Sequence, residues 1–248
     1  MNLYKNEIGL EESRTILTAL PQPRQATYLT LARELWENGD FIEIIAAKLY
    51  IWNGYVASAI DRTCGEVEVL LRNFIDSSFS EWNSSFPRFG SKHWLLDPES
   101  HLRVLCGEER GEPLRGFAKL SLAEGVSPTH DDYVAGLTFG SWVHLLPKPH
   151  AGPNNKRVIL WREALEPRLE NPDRVAFQKR AMFVKEMRNR ATHRRPLIKD
   201  LNLIRDAHQA CVEVTRAIEP KLGDWLRDER WIIDALHAGP YEDGPSYC

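Results

Sequence analysis

Apolar residues recur at helical spacing along most of the chain. The first such segment covers residues 23–36, and Gly39 just beyond it is typical of a helix C-cap. Asp40 is a good N-cap for the next helix, whose apolar positions are Phe41, Ile44, Ile45, Leu49 and Trp52. A further segment carries Val67, Leu70, Leu71, Phe74, Ile75 and Phe79, which share one helical face. The pattern predicts amphipathic helices.

The helical pattern stops between residues 81 and 115, where Gly, Pro and Ser are frequent. It returns over 113–123 and again from Ser127-Pro128 to Pro147, followed by a loop at 148–155 and a short helix near 158–165. Asn171-Pro172 should start a helix that Pro196 ends or kinks, and two more helices are predicted over 197–218 and 221–237. No alternating run suggests a sheet. We therefore predict an all-α protein with one helical domain at 23–238. An N-terminal segment (1–22) precedes it, a loop-rich insertion interrupts it at about 81–115, and a flexible tail (239–248) follows.

Composition changes this picture little, whereas the charge distribution matters more. The chain of 248 residues has a formal net charge of −3. Residues 179–195 hold seven Lys or Arg and one Glu, a charge of +6, so the remainder carries −9. A basic patch on an acidic body is typical of a polyanion-binding surface, although a solvated helix end looks the same.

The remaining sequence signals point to an ordinary protein of the reducing cytoplasm. The four cysteines (Cys64, Cys106, Cys211 and Cys248) form no CxxC pair, and the scattered histidines do not suggest a metal site. The N-terminus lacks the apolar stretch of a signal peptide, and the longest uncharged apolar stretch, 133–147, is too short to span a bilayer. We expect a cytoplasmic protein without cofactor, metal or membrane association.

The most informative stretch is RNRATHRRP, residues 188–196. Histidine suits proton transfer near neutral pH, and the arginine fork suits phosphate oxygens, so Arg188 and His193 could together cleave RNA. In an unbroken helix, residues five apart point about 140° apart. The hypothesis therefore requires that the helix ends between Asn189 and His193, or that two copies of the chain build the site.

Three blocks of the sequence resemble one known family. EVEVLLRNFI (66–75), LTFGSWVHLLP (137–147) and RNRATHRRPLI (188–198) occur in the order typical of the Abi-like branch of the HEPN ribonuclease superfamily, the abortive-infection proteins of bacteria. The resemblance covers roughly residues 20–220 and implies a HEPN-type helical bundle. It also implies a homodimer with two Arg/His motifs in one cleft, metal-independent endoribonuclease activity, and a toxin role in phage defence. In part of this group a small structured RNA acts as the antitoxin.

The resemblance also implies roles for individual residues. His193 would be the general acid/base, Arg188 would bind the scissile phosphate and Asn189 would orient them. Further RNA contacts would come from Arg180, Lys185, Arg190, Arg194 and Arg195. Glu68, Arg72 and Asn73 would support the motif helix or line the cleft, although an intrahelical Glu68–Arg72 ion pair is the simpler interpretation. The family often has a second His or an acidic residue after the motif. This chain has Arg194 and Arg195 there, so a second acid/base group is unassigned unless the partner chain supplies its own His193.

Three functions remain open at this point. The first is the ribonuclease toxin, in which His193 is essential. The second is a non-catalytic RNA-binding scaffold that uses the same arginines on phosphates or holds a structured small RNA. The third is a protein-interaction module whose basic face docks an acidic partner; that module would not carry RNA through purification.

Overall fold

The computed structural model describes residues 8–36, 41–86, 91–107 and 113–240. These residues form α-helices and short 3-10 or π turns, with no strand among them, so the all-α prediction is confirmed. The α-helices are α1 (Leu10–Thr18), α2 (Gln22–Leu35), α3 (Ile42–Ser84), α4 (Ser100–Leu105), α5 (His130–Gly136), α6 (Phe139–Leu145), α7 (Lys156–Leu160), α8 (Arg174–Thr192), α9 (Leu201–Ile218), α10 (Pro220–Glu229) and α11 (Trp231–His237). The predicted caps Gly39 and Asp40, and the predicted tail beyond residue 240, lie outside the described residues.

The largest departure from the predicted elements is α3. It is one helix of 43 residues, whereas the sequence suggested two separate segments. The buried residues Val56, Ile60 and Cys64 lie at one-turn intervals and continue the core-facing stripe between the two apolar clusters. The polar residues Asn53 and Thr63 are buried in the same stretch and interrupt the hydrophobic pattern, so the continuity was not apparent from the sequence. Helix α1 was not predicted either.

Three predicted helices take a different form. The helix expected over 221–237 is α10 followed by α11, with Arg230 between them at a φ of 54°. The prediction of a helix over 113–123 is wrong, because only a 3-10 turn at Leu114–Phe117 forms there. Lys119 then donates its backbone N–H to the carbonyl of Gly136 at 2.8 Å. The single helix expected over 127–147 is α5 followed by α6. Leu137 is extended between them, and the Thr138 side chain caps α6 by accepting the Ser141 N–H at 3.3 Å.

Helix α8 begins close to its predicted start. The carboxylate of Asp173 accepts the backbone N–H groups of Val175 and Ala176, each at 3.0 Å, and so caps the helix. The expected cap, Asn171, instead adopts a positive φ of 48° just upstream. A carboxylate at this position also complements the positive end of the helix dipole.

The chain forms two compact units. Unit 1 comprises the residues up to Thr63, Met187–Gln209 and the residues from Glu229 onward, and unit 2 comprises Cys64–Glu186 and Ala210–Asp228. Helices α3, α8 and α9 each contribute residues to both units. Within the ranges that the structure describes, no helix is both long and apolar enough to cross a membrane.

The core of unit 1 forms around α3. Trp52 is buried and donates its indole N–H to the backbone carbonyl of Ala235 in α11 at 2.8 Å. The guanidinium of Arg62 lies 3.8 Å from the centre of the Trp231 ring, a cation–π contact. These contacts fix the position of α3 within unit 1, and α3 in turn positions the candidate site.

The core of unit 2 is aromatic. Trp94 makes edge-to-face contacts with Phe79 and Trp142, with ring centres 5.3 and 6.2 Å apart. The carboxylate of Asp76 accepts the indole N–H of Trp94 at 2.8 Å and lies 2.9 Å from Nε2 of His130, which is 5% exposed. These bonds hold the buried side chains of Trp94 and His130 against α3, so the loop-rich region is packed around Trp94.

Candidate functional site

Helix α8 ends inside the RNRATHRRP stretch. Its last residue is Thr192, and the backbone N–H of Arg195 bonds the carbonyl of Arg190 at 3.0 Å while that of Arg194 bonds Ala191 at 2.8 Å. This pair of bonds is a Schellman motif, in which the residue at C′ takes the left-handed conformation. Here that residue is Arg194, with a φ of 50°. The sequence prediction that Pro196 ends the helix is confirmed.

The side chain of Asn53 holds the turn that follows. Its amide donates to the carbonyl of Arg195 at 3.0 Å, and its Oδ1 accepts the N–H groups of Leu197 and Ile198 at 2.7 and 3.3 Å. Asn53 is 1% exposed, so these bonds are made away from water, where an unpaired polar group is costly. The turn at residues 193–196, hereafter the motif turn, is therefore fixed to α3.

Arg194 reaches the same helix at Gly54. Its Nη1 donates to the backbone carbonyl of Gly54 at 3.1 Å, and a Cβ at position 54 would lie 2.9 Å from that nitrogen. The absence of a side chain at Gly54 therefore makes room for the guanidinium. The left-handed backbone conformation at position 194 is strained for arginine, whereas glycine would adopt it without cost. Such backbone strain often accompanies a functional role.

Arg188 lies on a different part of the α8 surface, beside Asp61 of α3. The two atoms Arg188 Nε and Asp61 Oδ1 are 3.9 Å apart, and the Thr192 hydroxyl donates to the same Oδ1 at 2.9 Å. Thr192 is one turn beyond Arg188, so all three groups meet on one face of the helix end. Arg188 is partly exposed, and the carboxylate holds its side chain in place.

His193 is exposed at the end of α8. Its carbonyl accepts an N–H of Arg24 at 3.3 Å, whereas the imidazole makes no hydrogen bond or ion pair among the described residues. The backbone N–H of His193 still bonds the carbonyl of Asn189 at 3.2 Å, so its Cα follows the helical path. Its side chain therefore leaves the axis about 140° from that of Arg188. Asn189 is exposed as well.

Arg190 is half-buried in unit 1, whereas the remaining predicted site residues belong to unit 2. Arg180 forms an ion pair with Glu213, and Lys185 is half-buried. The pKa of His144 is lowered by burial first and then by the nearby Lys185, so this region carries positive charge. Arg72 donates its Nε to Oδ1 of its neighbour Asn73 at 3.4 Å. Glu68 is half-buried on the same helix. The supporting role expected for Glu68, Arg72 and Asn73 remains a prediction.

Sequence reasoning missed the residues that organise the motif turn. Asn53, Gly54 and Asp61 all lie on α3, about 130 residues or more from their partners, and no local pattern links them. One available signal was the Asn53-Gly54 pair inside an apolar helical segment, because a buried amide and a helix-interior glycine both need a reason.

Among the described residues, no group of three or more His, Cys, Asp or Glu side chains is arranged to hold a metal ion. Comparison with known proteins gave no match: no family model, curated protein or solved structure resembles this chain detectably.

Proposed function

We propose that this protein is a HEPN-type endoribonuclease of the Abi-like branch, in which His193 transfers protons and Arg188 binds the scissile phosphate. The observation that carries the proposal is the end of α8 at Thr192, which leaves the His193 imidazole exposed and, among the described residues, without a hydrogen-bond or ion-pair partner, directly before Arg194 and Arg195 in the chain. An imidazole that only stabilises the helix end is expected to have a hydrogen-bond partner in the chain. An imidazole that acts on a substrate is expected to have no such partner in the free protein.

The chemistry needs three groups. His193 takes the proton of the ribose 2′-hydroxyl, the 2′-oxygen attacks phosphorus, and the leaving 5′-oxygen receives a proton, which leaves a 2′,3′-cyclic phosphate. Arg188 neutralises the charge that develops on the phosphoryl oxygens. Two proton-transfer groups are needed, and the motif of one chain contains one histidine.

A homodimer resolves the geometry. Within one chain the side chains of Arg188 and His193 diverge by about 140° around α8, so they do not meet on one phosphate. In a two-fold dimer with the motif turns face to face, Arg188 of one protomer acts with His193 of its partner. Water protonates the leaving 5′-oxygen, so each composite site requires one Arg188 and one His193.

The surrounding residues support RNA binding in this proposal. Arg194 and Arg195 are exposed in the motif turn, and Arg190 is half-buried one turn before it. Lys185 and Arg180 precede the motif in the sequence of α8 and belong to unit 2, where they would contribute further RNA contacts. Asn189 is exposed next to Arg188, where its amide would contact the substrate sugar or phosphate. The resemblance adds the biological setting: a toxin of phage defence, restrained by a partner that in part of the group is a small structured RNA.

The test is cleavage of end-labelled tRNA and mRNA by purified protein with EDTA present. We expect products with cyclic-phosphate ends from the wild type. The cleavage rate of His193→Ala should be lower by at least about 100-fold. Arg188→Ala should also be inactive, and Arg188→Lys should restore little because lysine lacks the planar fork. His150→Ala removes an exposed histidine elsewhere in the chain and is the matched control.

The same samples decide the alternative. If no variant cleaves RNA, yet wild type and His193→Ala bind it equally and with strong salt dependence, the chain is an RNA-binding scaffold. If neither binds RNA, the basic surface serves a protein partner.

A further inference from the structure

A surface hollow of about 330 Å³ lies against the motif turn. One face of α3 forms its floor and walls, with Tyr50, Gly54, Tyr55 and Ser58 contributing, and Arg194 borders it. Positions 50, 54 and 58 follow each other at one-turn intervals, so they align along the helix. The volume is at the low end of the range for small-molecule pockets.

We propose that this hollow binds one unpaired base of single-stranded RNA, with Arg194 on the adjoining phosphate. The assignment rests on the proposed function in that the ligand is RNA, and it adds a specific subsite for the nucleotide beside the scissile bond. Proteins bind unpaired bases on aromatic side chains within a basic surface, which is the combination present here.

The two tyrosines supply the stacking surface. Both are half-buried, so part of each ring is accessible from solvent. Tyr50 is held from behind by Tyr28, whose ring packs against it edge to face with centres 5.5 Å apart. A ring fixed in this way loses little conformational entropy when a base stacks on it.

Arg194 supplies the phosphate contact. One of its nitrogens, Nη1, bonds the Gly54 carbonyl, and the remaining N–H groups of the guanidinium make no hydrogen bond among the described residues. The hydroxyl of Ser58 bonds the same carbonyl at 3.0 Å. The guanidinium is thus anchored at one end and open at the other, an arrangement suited to binding an anion.

The hollow and Arg188 lie along one helix. Gly54 contacts Arg194 and Asp61 contacts Arg188, seven residues further along α3, which corresponds to about 10 Å. A single strand of RNA that places a phosphate on Arg188 therefore reaches the hollow with a neighbouring nucleotide. Arg194 directly follows His193 in the chain, so in the proposed dimer the subsite also adjoins the histidine that acts with Arg188 of the other protomer.

The experiment measures binding of fluorescently labelled RNA in EDTA, with His193→Ala as the background so that the RNA stays intact. Ser58→Leu fills the hollow from an exposed position with an aliphatic side chain that offers no aromatic surface. Its control is Ser77→Leu, the same change at another exposed serine of α3. We expect Ser58→Leu to weaken binding of single-stranded RNA at least about fivefold, and Ser77→Leu to leave it unchanged.

Substitutions of Tyr55 test the base subsite independently. Tyr55→Ala should weaken single-stranded RNA binding by a similar factor, whereas Tyr55→Phe, which keeps the ring, should not. Neither change should affect an abasic oligoribonucleotide of matched length or double-stranded RNA. Equal losses on intact and abasic strands, or no loss with Ser58→Leu, would overturn the base subsite. So would conversion of a dimer to a monomer by Ser58→Leu with RNA affinity unchanged, because the hollow would then belong to a protein interface.

The outcome separates this inference from the proposed function. If wild-type protein does not cleave RNA but the Ser58 and Tyr55 effects appear, the subsite stands and the nuclease proposal fails. If cleavage depends on His193 and Arg188 but the hollow variants bind normally, the nuclease proposal stands and the subsite fails.

Discussion

Oδ1 of Asp61 lies 3.9 Å from Nε of Arg188, with the two side chains 52% and 38% exposed. Ion pairs this exposed contribute at most about 1 kcal/mol to stability. The carboxylate can therefore orient the Arg188 side chain in the free protein, and a bound phosphate could displace it. It also repels that phosphate, so Asp61 should limit affinity for RNA.

Replacing Asp61 by asparagine should strengthen RNA binding. The amide oxygen can still accept the Thr192 hydroxyl, while the negative charge beside the proposed phosphate site is removed. We expect an affinity gain of about fivefold, equivalent to about 1 kcal/mol, measured by fluorescence titration in the His193→Ala background. Asp206→Asn, at an exposed position of α9, is the control. A gain that persists at high salt would argue against this electrostatic origin.

Mixing two inactive variants tests whether the site is shared between protomers. If Arg188 acts with His193 of the other protomer, a mixed dimer of His193→Ala and Arg188→Ala contains one intact site. Random pairing makes about half of the dimers mixed, so an equal mixture should recover about a quarter of the wild-type cleavage rate. Each variant alone should stay inactive. No recovery after subunit exchange, verified by mass spectrometry, would place both groups in one chain.

Arg194 should show an inverted preference between glycine and alanine. At most exposed helical positions glycine is less stable than alanine by up to about 1 kcal/mol. At a φ of 50° the order reverses, and Arg194→Gly should be more stable than Arg194→Ala by about 1 kcal/mol in urea unfolding. Both variants should lose the same fraction of RNA affinity. If the glycine variant retained full affinity, the arginine would have no role in binding.

Asn53 should contribute strongly to the stability of the folded chain. Its truncation to alanine leaves two buried N–H groups and one carbonyl without a partner, so the free energy of unfolding should fall by at least about 2 kcal/mol. Urea denaturation followed by circular dichroism measures this. Asn202→Ala, at an exposed position, should change stability by less than about 0.5 kcal/mol. Equal effects of the two changes would mean that the motif turn is not held by this amide.

Tyr28 should cause part of the loss of stability at alkaline pH. Burial raises its pKa from 10.0 to about 12, against an opposing effect of Arg24. Below pH 10 the phenol is neutral in both states, and its contribution is fully present. Between pH 10 and about 12 the unfolded chain ionises first, so stability falls. The hydroxyl has no partner among the described residues, so Tyr28→Phe should fold normally and lose less stability between pH 9 and pH 11 in urea unfolding. A parallel decline in wild type and variant would contradict this.

The helical class and the end of α8 could be predicted because both depend on local sequence. The 3.6-residue period identified most helices, and Pro196 marked the end of the helix before it. The continuity of α3 was not predicted, since its middle contains the polar residues Asn53 and Thr63, whose burial depends on tertiary contacts. The split between α5 and α6 depends on Thr138, whose role as a cap is clear only once the backbone is known.

The candidate site, too, could be predicted only where it depends on local sequence. The motif names Arg188 and His193, and local rules allow the helix to end between them. Local rules do not show that His193 keeps a helical hydrogen bond to Asn189, which sets its direction away from Arg188. Nor do they identify Asp61, Asn53 and Gly54, because those contacts join residues far apart in the chain and are decided by how α3 packs.

The single amide of Asn53 has a consequence for how the motif turn moves. Loops usually exchange their amide hydrogens with solvent quickly, as they open independently of the core. Here the N–H groups of Leu197 and Ile198 are bonded to a buried side chain of α3, so they cannot exchange until that helix separates from the turn. Their deuterium uptake should follow the slow rate of the α3 amides. The motif turn would then have the rigidity of the core, and any RNA that it binds must fit a surface that is already formed.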